Sequence, residues 1–464
     1  MSVPEFPFDA LTLESFATAF RAGRIRSRDV TESILKRIDA LQARLGAYSH
    51  IDHDGALARA TAVDALRAAG TDLGPLMGLP IALKDLYSVR GMSTNAGSRV
   101  DVSDLVPAQG PFVTALERAG CVLLGKTVTT EFALGGINLS HRMPWNPCDA
   151  EVARMTGGSS HGSAVAMAAG LAAMTFGSDT GGSVRWPAAL CGVVGYKASP
   201  DHWSTEGVFP LSKSMDSLGV FTRSAADAAF VEAAMRASAP APPPLADRLV
   251  LGIPSDHFFD SVDRDVRACF DEASERLRAS GARLVPVSVP EAIEQDALFA
   301  RLLPVEWLAF FGRERFISQR PNMDPVVQAR AGVGLDVAAD EYVRYEQRRK
   351  QLIVVMGERM RGLDALIMPT VVVVPGPLAD YDTVDKAAAW NKLTAKNTRP
   401  ANMFAQCGIS LPIHHLRGTL PVGLQLCCAP NEDSHLLAVA TAVEHALGRA
   451  PMPDVQKFVT STTG

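Results

Sequence analysis

Val30, Ile34, Ile38 and Leu41 recur at the three- and four-residue spacing of one helix face, and Ser27 stands where an N-cap belongs. The same spacing returns at Val266, Cys269, Phe270, Ala273 and Leu277, which predicts a second amphipathic helix. Two short apolar runs, residues 79–83 and 249–253, have strand length instead. Residues 163–176 form a longer run of small and apolar side chains and read as a buried helix. Residues 149–156 are mixed and charged, without the β-branched run of a buried strand. A proline-rich break at 237–244 reads as a surface crossing. The chain thus divides into an N-terminal helical part at about 9–69, a central part at about 76–235 and a C-terminal part at about 247–455.

Length alone, 464 residues, suggests two or three domains. A hydrophobic content of 47% with 20% charged residues gives enough apolar surface for a large core. The net charge of −5, with no basic cluster, argues against a nucleic-acid partner. The first nine residues lack the pattern of a secretory signal, and the most apolar run is shorter than the roughly 18 residues a bilayer demands. Seven cysteines are an odd count without C-x-x-C spacing, so neither a disulfide framework nor a zinc site is expected. Adjacent Cys427 and Cys428 point to opposite faces of a strand-like segment. These features favour a cytoplasmic protein without metal or cofactor.

The chemistry concentrates in two glycine-rich turns, Gly157-Gly158-Ser159-Ser160 and Asp179-Thr180-Gly181-Gly182-Ser183. Clustered glycines let backbone N–H groups converge on one point, and a serine beside them has an oxyanion site at hand. Gly158-x-Ser160-x-Gly162 matches a nucleophile elbow, which needs a strand directly before it. Residues 149–156 do not supply one, so the match is read as accidental. Ser183 is the second candidate, and a buried lysine of lowered pKa would serve as its base. Lys84 ends the apolar run at 79–83, although composition alone favours a lysine that caps a strand at the surface.

Lys84, Ser159 and Ser183, with the turns around them, resemble the amidase signature family. Residues 131–136, 144–147, 189–195, 207–212 and 420–426 are similar to family sequence too, so the resemblance covers nearly the whole chain. It implies a single α/β domain, not two or three: a large mixed twisted sheet covered by helices on both faces, with late strands joining early ones. It implies an amidohydrolase in which Ser183 is the nucleophile, Ser159 the relay after a cis Gly158–Ser159 peptide bond, and Lys84 the base. Thr180, Gly181, Gly182 and Ser183 become the oxyanion donors. Asp179 and Arg185 are expected to form a buried pair that holds the turn, and Ser160 and Ser163 to satisfy backbone groups.

His161 departs from the family pattern, which has glycine there, and Thr156 stands where proline is common. For the substrate, Trp145, Met155, Trp186, Trp390 and Met403 are candidates for an apolar wall, His161 for a contact and Arg399 for a carboxylate. Asn402 lies in the same region as Arg399. The expected partner is a small-molecule amide, with no direct nucleic acid and no membrane; a homodimer is left open. Competing readings are the A-type component of a tRNA-dependent amidotransferase, a hydrolase of a urea- or carbamate-type bond, and a non-catalytic binding module. The intact Lys84, Ser159 and Ser183 make the last the weakest.

Overall fold

The structure is a computed structural model and describes residues 3–460. Eleven described strands form one sheet: β1 (Tyr48–Ile51), β2 (Pro80–Lys84), β3 (Val122–Thr127), β4 (Met174–Asp179), β5 (Val194–Lys197), β6 (Ser217–Thr222), β7 (Val250–Pro254), β8 (Arg283–Val287), β9 (Ala365–Pro369), β10 (Cys407–Pro412) and β11 (Gly423–Cys428). Their order is β1-β3-β2-β4-β6-β5-β10-β11-β9-β7-β8. The sheet is mixed: β2 runs parallel to β3 and β4, and β7 to β8 and β9, while antiparallel pairs join the middle. Because β10 pairs with β5, the C-terminal part completes the sheet begun by the central part. Every residue of β2, β3, β4, β10 and β11 is buried, as strands covered on both faces must be. The proline-rich break therefore crosses the surface of one α/β unit. No described helix is long and apolar enough to cross a membrane, and all seven cysteines are free.

The amphipathic helices form as their spacing predicts. Val30, Ile34, Ile38 and Leu41 are buried along the helix Ser27–Leu45, and Val266, Cys269, Phe270, Ala273 and Leu277 along Arg264–Ala279. Two expectations need correction. The small-residue run is not one helix: the helix is His161–Ala168, Gly170 reverses the chain at a φ of +66°, and β4 begins at Met174. Ladder partners on both sides, β2 and β6, decide that residues 174–176 are strand. Ser27 is likewise not the N-cap. Its hydroxyl donates to the Gly78 carbonyl at 2.8 Å, and the free N–H groups of Ser27 and Arg28 donate to the Asp64 carboxylate of the neighbouring helix His53–Ala68.

A cap supplied by another helix joins the two as well as satisfying the first turn. Asp64→Ala is expected to cost about 1 kcal/mol, the usual value of a lost N-cap, measured by urea unfolding.

Candidate active site

β2, flanked by β3 and β4, carries Lys84 at its C-terminal end, where the side chain is fully buried. The surface position that composition favoured is thereby ruled out. Its Nζ donates to Ser159 Oγ at 2.7 Å and Ser178 Oγ at 2.9 Å. Burial lowers the Lys84 pKa to about 7, against the opposing pull of Asp216 and then Asp179. A lysine in this state is neutral in a large fraction of molecules near neutral pH. The Gly158–Ser159 peptide bond is cis.

The second turn follows β4. Asp179 points back into it: Oδ1 accepts from Gly182 N–H at 2.8 Å, and Oδ2 from Val184 N–H at 3.1 Å. Burial alone would raise the Asp179 carboxyl, but the charge and hydrogen bonds of Arg185 hold it well below the ordinary carboxylate range. Arg185 is fully buried and fully engaged, reaching Asp179, the Thr398 carbonyl, Gln425 Oε1 and Asn402 Oδ1 at 2.8–3.1 Å. Thr398 closes the turn from outside by donating to the Gly181 carbonyl at 2.9 Å. Gly182 sits at a φ of +121°, and a Cβ there would lie 2.0 Å from Thr398 Oγ1, so glycine is required. The two turns touch where Ser160 N–H donates to the Ser183 carbonyl at 3.3 Å.

Ser183 opens on a narrow cleft of about 20 Å³ bordered by Thr180, Gly181, Trp186, Leu211, Phe299 and Arg330. Phe299, Leu303, Arg330 and Arg399 are shared with a larger cavity of about 440 Å³, whose remaining wall is mainly apolar. Arg399 is committed: its guanidinium pairs with Asp296 and lies 4.9 Å from the Phe299 ring centre. Arg330, on the helix Pro325–Gly332, pairs with no described residue. Burial and then the charge of Arg399 lower its pKa to about 9, which leaves it a cation at neutral pH.

The structure sorts the residues named from sequence. Lys84 and Ser159 are in contact, and Ser183 faces the cleft. Of the four oxyanion candidates, the Gly182 N–H is taken by Asp179, which leaves Thr180, Gly181 and Ser183. Trp186 borders the cleft and packs on Trp390, with Met155 fully buried in the same apolar cluster behind it. Trp145 instead lies against Arg44 and Phe458, and Met403 is in the main core. His161 is buried outside the cleft lining. Burial and then the Lys84 charge lower its pKa to about 3. Asn402 serves the Asp179–Arg185 pair. The nucleophile-elbow reading fails as expected: no strand precedes Ser160, whose hydroxyl donates to the Ser178 carbonyl at 3.2 Å. The Ser163 hydroxyl likewise donates to the Phe176 carbonyl, at 3.0 Å. Sequence reasoning missed Ser178, Asp216 and Arg330. Ser178 was within the motif already singled out, whereas nothing near Arg330 in the sequence marks it.

Removing one member of a buried ion pair leaves the other charge uncompensated. Arg185→Met should therefore destabilise the protein by about 3–5 kcal/mol in urea unfolding. The loss should be smaller for Arg185→Met with Asp179→Asn, which removes both charges.

The amidase family model matches residues 29–437. The 2-amino-5-chloromuconic acid deaminase of Comamonas testosteroni is 36% identical, with 93% of this chain and 96% of that protein covered. The A-type component of the glutamyl-tRNA(Gln) amidotransferase of Koribacter versatilis is 30% identical, with 95% and 99% covered. A crystal structure described as an amidase superposes with a TM-score of 0.86 at 30% identity, covering 94% of this chain and 100% of that one. With a match of that extent and one sheet of the same architecture, the chain belongs to the amidase family, enzymes that hydrolyse carbon–nitrogen bonds.

Proposed function

We propose that this protein hydrolyses a small amide that carries a carboxylate group, through Ser183, Ser159 and Lys84. The observation that carries the reading is the pairing of a buried, hydrogen-bonded Lys84–Ser159 with an unpaired Arg330 on the Ser183 cleft. Ser183 Oγ attacks the amide carbonyl while its proton passes to Ser159 and the Ser159 proton passes to neutral Lys84. The N–H groups of Thr180, Gly181 and Ser183 face the developing oxyanion, where one such donor is typically worth about 100- to 1000-fold in rate. Collapse of the tetrahedral intermediate expels the amine, which takes its proton back through Ser159. Water then hydrolyses the acyl-enzyme by the same relay.

Arg330 supplies the substrate preference. A guanidinium without a protein partner favours a planar anion, which a carboxylate satisfies with two hydrogen bonds. Arg399 does not compete, because Asp296 already neutralises it. The apolar remainder of the 440 Å³ cavity suits a short hydrocarbon segment next to that carboxylate. The Comamonas relative is named for an acid substrate, in line with this reading. The amidotransferase relative supports a second reading, as the ammonia-supplying component of a complex. Hydrolysis by the purified lone chain favours the first reading; activity only with a partner protein favours the second. We place the protein in the cytoplasm, as its free and mostly buried thiols suggest.

Lys84→Ala should lower kcat by about 100- to 10,000-fold, the usual contribution of a general base. Arg330→Met should raise KM for a carboxylate-bearing amide by about tenfold to a hundredfold, as loss of a charged hydrogen bond implies, and leave a neutral analogue little changed. Because the active form is neutral Lys84, kcat/KM should fall as the pH drops through about 7. His161, held down at about 3, stays neutral across that range. His161→Gln should therefore keep the same acid limb, and loss of the limb in that variant would transfer the base role to His161.

A further inference from the structure

Beyond Ser178, whose hydroxyl holds Lys84, lies a second cavity of about 620 Å³, separate from the substrate cleft. Leu211 borders both, so one side chain stands between them. The wall of this second cavity also includes Asp216. Asp216 immediately precedes β6, and the register Asp179↔Ser217 sets it beside Thr180 across the strand ends. Its carboxylate accepts from the Thr180 hydroxyl through one oxygen. The other accepts from Leu211 N–H at 2.9 Å and Ser212 N–H at 3.0 Å. Asp216 thus joins the oxyanion turn to the loop that walls the cleft.

Charge gives the same residue a second consequence. Two carboxylates act on Lys84, Asp216 and Asp179. Asp179 is neutralised by Arg185, whereas Asp216 forms no ion pair among the described residues. The other titratable groups around Asp216 are Glu306 on the helix Gln295–Phe311, Tyr342 on the helix Ala339–Arg359, and Lys213 at the exposed rim. Glu306 is engaged by the hydroxyls of Ser212, Ser214 and Tyr342. Around Lys84 the remaining titratable neighbour is His161, which is neutral.

We propose that Asp216 is a positioning residue of this site: its carboxylate anchors the Thr180 turn and is the counter-charge that sets how readily Lys84 holds a proton. The inference rests on the assignment of Lys84 as the base. Burial raises the Asp216 carboxyl to about 6, so near neutral pH it is still charged, favours the ammonium form of Lys84 and raises the basicity that burial lowers. Without it Lys84 would stay neutral to lower pH and would be a weaker base for Ser159 and Ser183.

Asp216→Asn tests this with little change in shape. Its amide oxygen can accept from Leu211 and Ser212, and its NH₂ can donate to the Thr180 oxygen. The acid limb of kcat/KM should move to lower pH by about one unit, the low end for loss of a nearby opposite charge, while the plateau rate falls. Thr180→Val removes the anchor and one of the donors that keep Asp216 ionised but leaves the carboxylate, so it should lower kcat and shift the limb less than Asp216→Asn does. Asp216→Glu keeps the charge and displaces the carboxylate, so kcat should fall while the limb stays near the wild-type position. An unmoved limb in Asp216→Asn, or an equal shift in Asp216→Glu, overturns the proposal. Near-normal hydrolysis by Lys84→Ala is a different result: it would remove the base assignment itself, whatever Asp216 does.

Discussion

The ion pair between Asp179 and Arg185 is completely buried, and the turn that carries Ser183 is built on it. A pair of charges taken out of water is tolerable only when hydrogen bonds satisfy what the pair itself leaves over. Here they do. Asp179 gathers N–H groups from its own turn, and Arg185 reaches Thr398, Asn402 and Gln425, more than 200 residues further along the chain. One interaction therefore shapes the Thr180–Ser183 turn and fastens the C-terminal part of the chain to it. The junction of β5 with β10 makes this possible, because it brings those distant residues beside β4 and β6.

Around that anchor, identical residue types do different work according to their partners. Asp179 is compensated by Arg185 and shapes the turn, while Asp216 is held by the Thr180 hydroxyl and by backbone N–H groups. Arg399 is neutralised by Asp296, while Arg330 keeps its charge for the cleft. The lysine follows the same logic: burial without a tight carboxylate partner lowers its hold on a proton and leaves a neutral amine at the site. Lys126, on the neighbouring strand, is equally buried but lies 2.7 Å from Asp85.

Much of the molecule was legible in the chain because its signals are local or motif-bound. Helix faces at Val30–Leu41 and Val266–Leu277 follow from spacing alone, since a helix must bury one stripe. Lys84 and Ser183 stood out as candidates from the residues and were joined to Ser159 through the family resemblance, which correctly expected the cis bond, while the buried Asp179–Arg185 pair was expected from its place beside the turn. The misreadings were those in which a distant partner decides. Residues 174–176 are apolar enough for a helix and became strand because β2 and β6 lie on either side. Ser27 has the chemistry of an N-cap, yet Asp64 was near enough to take the role.

Sequence by itself determined most of the elements, the glycine turns and the residues proposed to react, because each depends on neighbours within a few residues or on a recognisable motif. Tertiary structure alone decided whether each charge is compensated. It made Lys84 buried rather than a surface cap, gave Arg399 a partner and left Arg330 without one, and buried His161 outside the cleft lining. The reason is electrostatic: the state of an ionisable group depends on burial and on charges within a few ångströms, and those neighbours come from strands far apart in the chain.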